Sequence, residues 1–82
     1  MIDVKRAVQL VRDFAALDNA KLEAVELSED DSHWIVILGA AYNERNIASL
    51  FHIFTVNTET EMISKGDVVT AADFIHIDTS RL

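Results

Sequence analysis

Residues 34–42, Trp-Ile-Val-Ile-Leu-Gly-Ala-Ala-Tyr, form the longest apolar run of the chain, and the run is apolar at both parities. Extended, it points Trp34, Val36, Leu38 and Ala40 to one side and Ile35, Ile37 and Ala41 to the other. Nine residues are too few to cross a bilayer as a helix. Their Trp, Ile and Val content favours a strand. Residues 48–57 repeat the pattern, with Leu50, Phe54 and Val56 on one side and Phe51 and Ile53 on the other. An antiparallel sheet with one wet face alternates apolar and polar side chains. Here both faces need cover.

One cover precedes the strands. Residues 3–18 read as an amphipathic helix, with Val4, Val8, Val11 and Ala15 at helical spacing and Leu10, Phe14 and Leu17 widening the stripe. Asp3 is placed to cap it, and Asn19 suits a left-handed C-terminal cap. Residues 22–28 alternate as a first strand, 29–32 turn, 33–42 and 48–57 are the second and third strands, and Glu61 to Lys65 is a short fourth. Gly66-Asp67 reads as a turn. Thr70-Ala71-Ala72-Asp73 has the shape of a capping box for a short helix, while Phe74 to Thr79 reads equally as a strand.

The expected fold is thus α+β: one domain over 1–82, with an N-terminal helix on a three- to four-stranded antiparallel meander and a short C-terminal helix or strand. A helix of about 16 residues covers one sheet face. The other falls to the C-terminal segment or to a second copy. A homodimer through Ile35, Ile37, Phe51 and Ile53 is the expected solution. A domain of 82 residues without Cys also has little stability to spare.

Charge narrows the partners. The net charge is −7, and residues 18–31 alone carry −5, with Asp18, Glu23, Glu26, Glu29, Asp30 and Asp31 against Lys21. Such a balance speaks against general nucleic-acid binding, which needs Lys and Arg for phosphates. The acids either keep the protein soluble or, at Glu29, Asp30 and Asp31, offer a docking surface to a basic protein. The segment Met1 to Arg6 lacks the apolar run and small-residue cleavage site of a secretory signal. A cytoplasmic protein with no membrane contact is expected, although a piece of a longer secreted chain would read the same.

Motifs for chemistry are sparse. None of Ser28, Ser32, Ser49, Ser64 and Ser80 lies in a Gly-x-Ser-x-Gly elbow. His33, His52 and His76 form no closely spaced metal pair, so no metal or other cofactor is expected. Asp30, Asp31 and His33 crowd one turn, which either faces water or holds a divalent cation. His52 shares a strand face with Leu50, Phe54 and Val56. It is either satisfied locally or part of a pocket between helix and sheet. Trp34, Tyr42 and Glu44 are the companions to examine there. His76, among Phe74, Ile75 and Ile77, carries the same two readings.

The segment Leu22-Glu23-Ala24-Val25-Glu26-Leu27, a charged turn, Trp34 to Leu38, and Phe51-His52-Ile53-Phe54-Thr55-Val56-Asn57-Thr58-Glu59-Thr60 follow one another after the helix. This order, over residues 3–65, resembles the small PepSY-like bacterial domains. Their third strand ends in an aromatic-x-Val and an Asp-x-x-Thr-Gly-Glu-Val turn. Here Asn57 stands for the Asp, and no Gly follows Thr60. The resemblance implies a helix on a sheet and an inhibitory or regulatory role, often outside the cytoplasm. It supplies no catalytic residue. The sequence therefore leads to a non-enzymatic interaction or regulatory module, with a small-molecule binder or small enzyme near His52 as the alternative.

Overall fold

A computed structural model describes residues 1–17, 19–41 and 49–70. The elements are α1 (Val4–Ala15), β1 (Lys21–Leu27), β2 (His33–Ala41), β3 (Ser49–Asn57) and β4 (Ile63–Thr70). The strands form one antiparallel sheet in the order β1-β2-β3-β4, and α1 lies on one face against β2, β3 and β4. The α+β meander expected from the alternation is the fold observed. Tyr42, Glu44 and residues 71–82, the tail read as helix or strand, lie outside the described residues.

Asp3 caps α1 as expected, its Oδ1 accepting the Arg6 amide at 2.8 Å. The helix ends three residues earlier than the periodicity predicts. Ala16, not Asn19, is the C-cap, with φ 49° and its amide on the Arg12 carbonyl at 3.1 Å. Asn19 is also left-handed, at φ 58°, within the connection. Ending early lets Leu17 and Ala20 pack against the core while Arg12 Nη1 donates to the Ala20 carbonyl at 3.1 Å. Those contacts offset the roughly 1–2 kcal/mol of a left-handed alanine.

The core lies between α1 and the sheet: Ala7 and Val11 from the helix meet Val36, Leu38, Phe54 and Val56, with Trp34, Val25 and Ile63 at its margin. Each fully buried large side chain here contributes about 1.5–3 kcal/mol. Val4, expected in the buried stripe, is 41% exposed and lines an open groove with Val8 and Leu22.

Two bulges set the register. In β1, Leu22 pairs with Leu38 and Ala24 with Ile37, so Glu23 is an extra residue. The bulge switches parity, and Leu22, Val25 and Leu27 all pair with helix-side residues of β2. In β4, His52 pairs with Val68 and Phe54 with Lys65, so Gly66 and Asp67 together oppose Ile53. The strand thus continues through the dipeptide read as a turn, to Thr70. Gly66 suits the place because a Cβ there would lie 3.2 Å from the Ile53 carbonyl oxygen. Both outer strands are therefore bulged, a feature that opposes edge-to-edge pairing.

Candidate functional site

The residues singled out in the sequence fall at three places. The first is the sheet face away from α1. Register places Ile37 beside Ile53 and Phe51 beside Gly39, with Ile35 beside Thr55, all on that face. Ile37 is buried, and Ile35, Phe51 and Ile53 are half-buried. None of the described elements other than the sheet itself contributes to this side.

The second place is the β1–β2 turn. The Asp31 amide donates to the Ser28 carbonyl at 2.9 Å, and Asp31 is left-handed at φ 60°. Asp30 Oδ1 accepts three bonds: from Ser32 Oγ at 2.6 Å, Ser28 Oγ at 2.8 Å and the Ser32 amide at 3.0 Å. The Ser32 and Ser28 hydroxyls, with the Ser32 amide, lower its pKa to about 2. Asp30 is thus the internal tie of the turn, while Glu29 and Asp31 are exposed beside it.

This turn also brings Ser32 Oγ within 2.7 Å of His33 Nδ1. The order is Asp–Ser–His. The single hydroxyl proton goes to the carboxylate, so the imidazole donates to the hydroxyl and cannot activate it. With one Asp30 oxygen taken by donors, the turn is also a poor cation site. Among the described residues no three His, Cys, Asp or Glu side chains converge to hold a metal ion.

The third place is a cavity of about 170 Å³ lined by Phe14, Ala15, Leu17, His52, Phe54 and Lys65. It opens where the end of α1 crosses β3 and β4. Phe14 stands edge-on to Phe54, with ring centroids 6.1 Å apart. His52 comes from the helix side of β3, and the bulge at Gly66-Asp67 brings Lys65 opposite Phe54. Partial burial, and then the Lys65 ammonium, hold the His52 imidazole below its usual pKa.

The alternative reading places a pocket near His52 with Trp34 as a companion; the cavity beside His52 is not lined by Trp34. Trp34 pairs with Val56 and His52 with Leu38, four positions apart, roughly 13 Å at the usual strand rise. Trp34 instead donates its indole N–H to the Ile2 carbonyl at 3.0 Å, which fixes the N-terminus. Sequence reasoning missed Phe14, Leu17 and Lys65. The first two were read as core and the third as the end of a strand.

No helix among the described residues is long and apolar enough to cross a membrane. No family model matches the chain, and no curated protein or solved structure matches it.

Proposed function

We propose that the chain is a non-enzymatic interaction module of the cytoplasm, which self-associates through the sheet face opposite α1. The observation that carries this reading is the gathering of Ile35, Ile37, Phe51 and Ile53 on that one face. Two further features support it. Among the described residues the helix-side core has six buried members. The bulged edges and the charges of Lys21, Glu23 and Glu26 on β1 disfavour assembly through strand pairing, leaving the face. A self-complementary apolar patch is what a two-fold dimer requires. A regulatory role of the kind that PepSY-like domains play fits such a module.

Sedimentation equilibrium over a concentration series tests it. A dimer at neutral pH is expected, and Ile53→Lys should weaken it at least about tenfold, the effect of one misplaced charge in an apolar interface. A monomer at every concentration, from a chain with native circular dichroism, overturns the reading.

The acidic turn is the surface proposed for a basic protein partner. Its test spares Asp30, which holds the turn. Glu29→Gln with Asp31→Asn removes two charges while Asn tolerates the left-handed backbone at 31. Unchanged binding of a cationic protein such as lysozyme or a poly-lysine peptide would count against that surface.

A further inference from the structure

We propose that the cavity between the end of α1 and the sheet binds a small organic acid, its single ring or branched alkyl group against Phe14, Leu17 and Phe54 and its carboxylate on Lys65. This site is independent of the state of assembly, because its lining lies on the helix side of the sheet.

The walls come first. Phe14 and Leu17 from the end of α1 and Phe54 from β3 make an apolar slot, and Phe14, although 54% exposed, is held edge-on by Phe54. At about 170 Å³ the slot matches the size of protein cavities that accept one benzene ring. It is too small for a nucleotide or a peptide side chain together with its backbone.

Polar groups set the ligand's charge. Lys65 makes no ion pair among the described residues, and neither ring nitrogen of His52 has a hydrogen-bond partner among them. Lys65 is the one charged side chain in the lining, in a chain of net charge −7. On α1, Arg12 donates to the Ala20 carbonyl and Asp13 accepts from the Gln9 side-chain amide, and both keep their charge. The carbonyl end of α1 lies at the cavity and opposes an anion, so the carboxylate must sit at the Lys65 end of the slot. An apolar slot with a few convergent polar groups at its rim is the usual form of a small-molecule site.

The test is an NMR titration of the full chain with benzoate, and with benzyl alcohol as the uncharged analogue. Benzoate should give saturable shifts confined to Phe14, Leu17, His52 and Lys65, with a dissociation constant on the order of 1 mM. It should also raise the His52 pKa, since a carboxylate at Lys65 cancels the charge that opposes the imidazolium. Benzyl alcohol should bind more weakly and should not raise that pKa, since it adds burial and no negative charge. Lys65→Gln, at an exposed position, should weaken benzoate about two- to fivefold, as expected for one exposed charge pair, and leave benzyl alcohol unaffected. Equal binding of the two compounds, shifts spread over other lysines, or an unchanged benzoate affinity in Lys65→Gln overturns the proposal.

Discussion

The hydroxyl of Thr58 lies 2.9 Å from the Asp31 carbonyl oxygen and shares its one proton with the Ser32 carbonyl at 3.1 Å. Thr58 is 2% exposed. Its amide also donates to the Ser32 carbonyl at 2.9 Å, and its carbonyl accepts the Ile2 amide at 3.0 Å. One residue thus joins the end of β3 to the β1–β2 turn and to the N-terminus. Thr58→Val keeps the shape and removes the donor, so the Asp31 carbonyl loses its side-chain partner. A loss of about 1–3 kcal/mol in urea unfolding is expected, with Thr58→Ser nearer wild type. A valine variant as stable as wild type would contradict a stabilising role for this hydroxyl.

Glu61 sits at φ 62° in the β3–β4 turn, a backbone conformation that glycine adopts without strain. Asn57 closes that turn with its Oδ1, which accepts the Glu59 amide at 2.8 Å and the Thr60 amide at 2.9 Å. Glu61 Oε1 also takes the Arg6 guanidinium, from Nε at 3.0 Å and Nη2 at 2.9 Å. The pair is exposed and contributes about 0–1 kcal/mol. Glu61→Ala loses it and keeps the backbone strain. Glu61→Gly loses it and relieves the strain. The glycine variant should therefore be the more stable of the two by about 1 kcal/mol in chemical denaturation, and the reverse order would refute a strained residue 61.

Acid should weaken the fold in two windows. His52 is a base whose folded pKa lies below the usual 6.5, so the folded state disfavours its proton. Its contribution is complete above pH 6.5 and is lost as the pH falls through the folded value. Asp30 is an acid lowered from 3.8 to about 2. Its contribution is complete above pH 3.8 and is lost toward pH 2. Thermal melts from neutral pH downward should show a decline beginning just below pH 6.5 that His52→Gln flattens. Carboxyl carbon NMR should find Asp30 titrating about 2, and higher in Ser32→Ala. A normal Asp30 titration would contradict the turn geometry.

Much of this fold was legible because two periodicities are clean. The 3.6-residue stripe of Val8, Val11 and Ala15 gave the helix, and the double parity of 34–41 and 50–56 gave the central strands. The bulges were harder to see. Leu22 and Val25 lie three apart, a spacing that puts both on one face only if a residue between them is extra, and Glu23 is that residue. Gly66-Asp67 carries the composition of a turn, yet pairing with β3 extends the strand through it. Thr58 gave no signal, since its partners lie 26 and 27 residues away. For the cavity, His52 on an apolar face was a usable pointer, whereas Lys65 reaches it only through the β4 register shift.

The proposed dimer would join two copies through the sheet faces that lie away from α1. Mixing isotope-labelled and unlabelled protein and recording isotope-filtered NOE spectra reads that contact directly. The methyl groups of Ile35, Ile37 and Ile53 should show intermolecular NOEs, and those of Val11 and Val36, buried between α1 and the sheet, should show none. A dimer whose intermolecular NOEs arise from α1 or from the edge strands, or a sample with no intermolecular NOEs at millimolar concentration, would contradict it.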